Sequence, residues 1–193
     1  CSSDLYVDDR PADKIFRVHR DIFTDPAIFE MEIKYIFERT WNFLGLESQI
    51  AKPHDYITTA IARTPVIVSR GVKGEIRAFI NACRHKGATV ARFSQGNAKY
   101  HTCPYHGWAY DSSGKNVDIK DRKAGCYAEA FDRDNHDLLP IAKVASYKGM
   151  IFGSLSADVL PLETFLGDTR FFIDIVMDQG PNGMEFVPGH ASY

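Results

Sequence analysis

Four cysteines among 193 residues are too few and too unevenly placed for a disulfide scaffold. Cys1 and Cys126 stand far apart with nothing to pair them, while Cys83 and Cys103 each have a histidine close behind. That usage fits a reducing compartment, and a cytoplasmic protein is the expectation. No apolar run approaches the roughly 20 residues that a bilayer crossing requires, and the opening CSSDLYVDD lacks a basic stretch followed by an apolar one. Charge of one sign is also missing. The 23 basic and 25 acidic residues leave a net charge of -2, which gives no electrostatic case for nucleic acid as a partner. Internal repeats and low-complexity tracts are absent. What remains is a chain 45% hydrophobic and 25% charged, long enough to bury a core without staples. Its start on Cys1 instead of Met is expected of a trimmed piece of something longer.

Three kinds of pattern follow one another. In TDPAIFEMEIKYIFERTW, Asp25 is placed to cap a helix and Pro26 suits its first position. Phe29, Ile33, Ile36, Phe37 and Trp41 then form an apolar stripe, with Glu30, Glu32 and Lys34 toward water, as in a docking helix. From Asp55 the period becomes strand-like: DYITTAIA, PVIVSR and EIRAFINA are short, β-branched or aromatic, and divided by Pro and Gly, with a hairpin over 71–75. Further strands are expected at 98–101, 108–110, 144–147 and 150–153, with turns at SQGN and DSSGK. The polar stretch 117–140 reads as a surface excursion. LPLETFLGDTRFFIDIVMDQG reads as a second helix, started by Pro161 and stopped by Gly180. The density of strands argues for a small antiparallel sandwich or barrel between two helical flanks. Such flanks suit a β-module attached to a second body beyond Tyr193.

The chemistry-bearing residues lie in NACRHKGATVARFSQGNAKYHTCPYHGW. Cys83 and His85 are followed, after seventeen residues, by Cys103 and His106. Singly, each is an ordinary core cysteine or satisfied histidine. Together they form a ligand set, because Gly87 and Gly107 each follow a histidine and Pro104 stiffens the second loop. Two hairpin tips would offer two sulfurs and two ring nitrogens. A tetrahedral zinc site uses that same set, so spacing alone leaves zinc and iron both open. His101 and His106 share the spacing of a mononuclear iron pair, but no carboxylate is placed to complete it.

CRH followed by CPYHGW resembles the Rieske [2Fe-2S] signature. The resemblance implies that Cys83 and Cys103 hold one iron and His85 and His106 the other, with Gly87, Pro104, Tyr105, Gly107 and Trp108 in support. It also implies backbone N–H groups around the two glycines aimed at the sulfides. High-potential Rieske proteins carry an extra disulfide-bonded cysteine in each loop; Ala88 and Tyr105 stand in those places. Trp108 stands where those proteins have a serine that hydrogen-bonds the cluster, which implies a lower potential here. Lys86 replaces an arginine common in relatives and keeps the charge without the fork of donors.

Over nearly all of its length, through FRVHRDIFTDPAIFEMEIKYIFERTW and YKGMIFGSLSADVLPLETFLGD, the chain is similar to the alpha (large) subunit of aromatic-ring-hydroxylating dioxygenases. The benzoate, toluate, anthranilate and salicylate branch is the nearest in pattern. This implies a mainly β fold: a Rieske-type antiparallel β-sandwich with inserted cluster-binding hairpins, flanked by amino- and carboxy-terminal helices. It divides the chain into an arm over 1–50, a [2Fe-2S] domain over 51–156, and a helix over 157–193 leading to a catalytic domain with mononuclear non-haem Fe(II). Implied partners are a reductase with FAD and [2Fe-2S] or a ferredoxin, a small beta subunit, and an alpha3beta3 or alpha3 assembly. In such assemblies the electron crosses to the neighbouring subunit's mononuclear iron by way of an Asp, which His85 or His106 would contact. The implied reaction is NADH-driven, O2-dependent hydroxylation of an aromatic carboxylate. The fragment alone would lack it.

Overall fold

The computed structural model describes residues 6–180, 183–187 and 189; Cys1 lies outside the described residues. The described residues begin with a hairpin absent from the sequence expectations, β1 (Val7–Arg10) against β2 (Ile15–Val18). Helix α1 (Asp21–Thr24) leads to α2 (Pro26–Glu32), where the Asp25 carboxylate accepts the Ala27 N–H at 2.7 Å, as a capping residue should. The expected stripe does not hold. Over Ile33–Phe37 the helix widens into a π turn, with Glu38 N–H reaching the Ile33 carbonyl, and the extra residue rotates the later side chains off the stripe. Ile33 is buried, but Phe29, Ile36 and Phe37 are exposed. Trp41 is buried only after the chain has left the helix, its indole N–H donating to the Leu160 carbonyl at 2.8 Å.

The strands that follow are β3 (Asn42–Leu46), β4 (Asp55–Ile61), β5 (Thr64–Arg70), β6 (Ile76–Ile80), β7 (Gln95–Asn97), β8 (Tyr100–Thr102), β9 (Ala109–Asp111) and β10 (Asn116–Asp118). After helix α3 (Glu129–Arg133) come β11 (Lys143–Tyr147) and β12 (Met150–Ser154). They form antiparallel sheets in the orders β6-β5-β4-β7, β11-β12-β3 and β10-β9-β8, with no closed barrel among the described residues. This is the antiparallel sandwich with inserted hairpins. β5 is interior to its sheet, and both its faces are covered. Val66 and Val68 pack with Leu44, Ile57 and Ile151, while Ile67 packs with Tyr56, Phe79, Cys83 and Tyr110. A run of three aliphatics without alternation is the signature of such a strand.

Two other expectations change and one holds. Three residues of the supposed SQGN turn form β7, an exposed edge strand on β4; its polar, Gly-containing composition hides a pairing that depends on β4 offering a free edge. DSSGK is a turn, held by Asp111 Oδ1, which accepts from the backbone N–H groups of Ser113 and Lys115. The 117–140 stretch is not a bare excursion. Ile119 and Leu138 are buried, Tyr127 and Phe131 pack against them, and Leu138 N–H donates to the Gly114 carbonyl at 2.8 Å. Its few apolar residues are spaced too irregularly to show a period.

The carboxy-terminal helix is two, α4 (Leu162–Leu166) and α5 (Thr169–Met177), broken at Gly167, whose φ is +49°. Leu162 packs on Trp41 and Phe152, whereas Phe171, Phe172, Ile175 and Val176 are exposed. Among the described residues no helix is long and apolar enough to cross a membrane.

Candidate metal centre

Two six-residue loops of the same build carry the cysteines and histidines. In the first, which follows β6, Cys83 N–H donates to the Ala88 carbonyl at 2.8 Å and Gly87 N–H to the Cys83 carbonyl at 2.8 Å. In the second, between β8 and β9, Cys103 N–H donates to Trp108 and Gly107 N–H to Cys103, at 2.8 and 3.0 Å. Each loop turns on a left-handed glycine, with φ of +76° at Gly87 and +72° at Gly107. A Cβ at either would have no protein atom nearer than Lys120 Cβ, 4.0 Å from the Gly107 position. The sign of φ calls for glycine at both positions, and both glycine N–H groups are used within their loops.

The donors sort by depth. Cys83 and Cys103 are buried and adjacent, while His85 and His106 are exposed and their Nδ1 atoms converge to 3.2 Å. Cysteine is the first residue of each loop, but histidine is third in one and fourth in the other, so the two rings meet edge to face, 4.6 Å apart. Burial pushes the Cys83 thiol above its usual range and the adjacent Cys103 adds to this, against the opposing pull of the Tyr110 hydroxyl and the His85 N–H. Partial burial, then the nearby His106 and Lys86 charges, hold His85 below its usual value, which favours neutral imidazole. A buried thiol pair and an exposed imidazole pair bring two sulfur and two nitrogen donors to neighbouring loops.

Comparison with known proteins decides which group this suits. The family description that matches is Rieske [2Fe-2S] domain, over residues 40–147. The chain belongs to this family. It is 47% identical to the toluate 1,2-dioxygenase alpha subunit of Pseudomonas putida, covering 98% of this chain and 42% of that protein. It is 43% identical to the anthranilate 1,2-dioxygenase large subunit of Acinetobacter baylyi, covering 97% of this chain and 40% of that one. The solved naphthalene 1,2-dioxygenase from Rhodococcus sp. superposes with a TM-score of 0.79 at 39% identity, over 89% of this chain and 39% of that chain. The chain is thus a Rieske domain homologous to the alpha subunits of ring-hydroxylating dioxygenases, and spans about two fifths of those proteins.

The residues present fit a Rieske group, which asks for two thiolates and two neutral imidazoles. Family membership removes structural zinc as a reading. Among the described residues no group of three or more His, Cys, Asp or Glu side chains is placed to hold a single ion; the donors come as two pairs. Cys83, Cys103 and Cys126 are free thiols, so no disulfide braces either loop. His101 lies in the core, edge-on to Tyr56 at 4.8 Å, with Nε2 unpartnered, and burial holds it below its usual pKa. It stands away from the imidazole pair, as a core histidine.

Two residues escaped the sequence reading. Tyr110, fully buried on β9, accepts the Arg84 N–H at 3.0 Å and sits 3.2 Å from Cys83 Sγ. Since the N–H must donate, the phenol proton is left for the sulfur. Burial, and then Cys83, push the Tyr110 pKa well above its usual value, keeping that proton in place. The sulfur therefore has a hydroxyl donor although Trp108 occupies the serine position. Asn81 is the other. Buried below the first loop, it accepts from Val90 and Ala91 N–H at 3.1 and 2.9 Å and donates to the Ala91 carbonyl at 2.8 Å. An aromatic two residues after the CPYHGW run, and an amide two before the CRH run, were the available signals.

Proposed function

We propose that this chain is the electron-transfer part of the terminal oxygenase of a multicomponent ring-hydroxylating system. Cys83 and Cys103 hold one iron of a [2Fe-2S] group, and His85 and His106 hold the other. The observation that carries the reading is the depth-sorted pair of pairs: thiols buried, imidazoles exposed, Nδ1 atoms 3.2 Å apart on twin loops. When bound, the group supplies one-electron chemistry at a potential above that of an all-cysteine cluster, because neutral imidazoles bring less negative charge than thiolates.

The chain's own residues do the rest. Burial excludes water from the sulfurs, the Tyr110 hydroxyl donates to Cys83 Sγ, and Asn81 fixes the base of the first loop. The exposed edges of His85 and His106 are free to donate a hydrogen bond to a partner's carboxylate, the side on which an electron would leave. Tyr105, exposed beside His106, overlies that edge.

We assign 51–156 as the [2Fe-2S] domain, within which most of the family match over 40–147 falls. The preceding residues form an arm, and those from 157 lead to a domain holding mononuclear non-haem Fe(II). The whole protein would take electrons from NADH through a flavin- and [2Fe-2S]-containing reductase or a ferredoxin. It would assemble as alpha3beta3 or alpha3 in the cytoplasm and use O2 to hydroxylate an aromatic carboxylate. Iron and acid-labile sulfide in equal amounts, with a red-brown colour, are expected of the purified chain; one zinc and no colour would overturn the reading. For the full-length protein, product analysis with benzoate, anthranilate and salicylate tests the substrate class. A free electron carrier would turn over none of them.

A further inference from the structure

The two exposed histidines are not held alike. Beyond their own edge-to-face contact at 4.6 Å, His106 meets the exposed Tyr105 at 5.4 Å and 64°. His85 stacks on the Trp108 indole, centroids 5.0 Å apart and planes 14° from parallel. An exposed imidazole bonded to one ring atom of its partner retains torsional freedom about its side-chain bonds, so a flat neighbour is what can fix its plane.

Trp108 is itself buried and held on its other sides. Phe131 meets it edge-on at 5.9 Å and His136 at 5.4 Å. Those two rings lie 4.2 Å apart, and His136 Nε2–H donates to the Phe131 carbonyl at 2.8 Å. Tyr127 stacks on Phe131 at 4.4 Å and 14°, and its hydroxyl donates to the Lys120 carbonyl at 3.1 Å, which ties the group back to the residue beside Gly107. All of these come from the 117–140 segment.

We propose that Trp108 is a positioning residue that fixes the plane of the His85 ring, and that Tyr127, Phe131 and His136 brace Trp108 for this role. The segment between β10 and β11 thereby sets the geometry of one histidine and leaves the other adaptable. The proposal rests on the assignment of His85 and His106 as ligands only for its consequence at the metal; the packing itself is independent of it.

The test uses the 193-residue chain. In the reduced, iron-loaded protein, pulsed EPR with 15N-labelled histidine resolves the two coordinated nitrogens. Phe131→Ala and Trp108→Ala are expected to shift or broaden the coupling of one nitrogen and leave the other, with Trp108→Phe restoring the original value and Tyr105→Ala leaving that coupling unchanged. Phe131→Leu, which keeps volume but has no ring, should act like Phe131→Ala should the latter fail to fold. Couplings identical to the unaltered chain in Phe131→Ala, Phe131→Leu and Trp108→Ala would overturn the proposal. Should the unaltered chain take up no iron and sulfide, the functional reading fails separately, and NMR of the metal-free chain decides this one. A His85 Hε1 resonance upfield of that of His106, moving downfield in Trp108→Ala, supports it; coincident resonances in both proteins refute it.

Discussion

Val66 and Val68 point from β5 into one core, Ile67 and Ser69 toward another, and the two differ in chemistry. The first is wholly aliphatic: Leu44, Ile50, Ile57, Ile61, Val66, Val68, Ala78, Ile141 and Ile151. The second mixes apolar residues with Tyr56, Cys83, Cys103, Trp108 and Tyr110. Directional bonds run through it, among them Ser69 Oγ–H to the Ser112 carbonyl at 2.7 Å and those of Asn81 and Tyr110. Aliphatic burial is non-directional and sets how firmly the sheets hold together. Buried hydrogen bonds penalise misplacement, so they set where the donors stand. One strand supplies both because its alternate residues face opposite ways.

Substitutions on the two faces should therefore separate site from stability. The largest effect is expected of Cys103→Ala, with complete loss of iron and sulfide on metal analysis. His106→Cys should keep some iron at a lowered potential, and equal cluster content with unchanged potential in both would break the assignment. Next is Asn81→Ala, which strands two buried N–H groups and a carbonyl. It should cost about 4 kcal/mol in denaturant unfolding and reduce cluster occupancy as well. Ile151→Ala on the aliphatic face should cost about 3 kcal/mol yet leave the visible spectrum of the folded protein unchanged; an altered spectrum would show the two faces to be coupled. Tyr110→Phe should cost only about 1 kcal/mol, from the Arg84 N–H left without its acceptor. Its diagnostic effect is a lower reduction potential in a redox titration, because the sulfur loses a hydrogen bond. An unchanged potential would remove Tyr110 from the site.

The smallest effect belongs to the seam between sheets. At Glu47, burial raises the carboxyl pKa, but the Ser146 hydroxyl and Arg70 outweigh it and leave the value below 4.5. A depressed folded pKa contributes stability that is present above the ordinary value and lost as pH falls through the folded one. Glu47→Gln should therefore destabilise slightly at neutral pH and flatten the decline of stability just below pH 4.5. A decline of the same slope in both proteins would assign that acid limb elsewhere.

The legible parts of the molecule were those whose cause is local. β5 opens on Thr64 and Pro65, β5 and β6 are parted by Gly71 and Gly74, and the Cys–His loops combine scarce residue types with a glycine at a fixed offset. The illegible parts have causes distant in sequence. Tyr110 and Asn81 look like ordinary strand and turn residues until the fold brings Tyr110 to Cys83, 27 positions away, and Asn81 to Ala91, 10 away. The π turn after α2 spoils a stripe that is regular on paper, and Gly167 divides a helix whose composition reads as continuous. The 117–140 segment hid its aromatic brace among charges because two rings packing on one indole, and a third on one of them, have no period.

The twin loops share two main-chain hydrogen bonds and one left-handed glycine. In their other contacts they differ: Arg84 uses its N–H on Tyr110 where Pro104 has none, and histidine changes place between them. A turn defined so sparsely is a transferable part. Placed at two neighbouring hairpin ends of a designed β-protein, with a buried asparagine below one and a phenol behind it, the same six-residue pattern should arrange four ligands without borrowing the rest of this sequence.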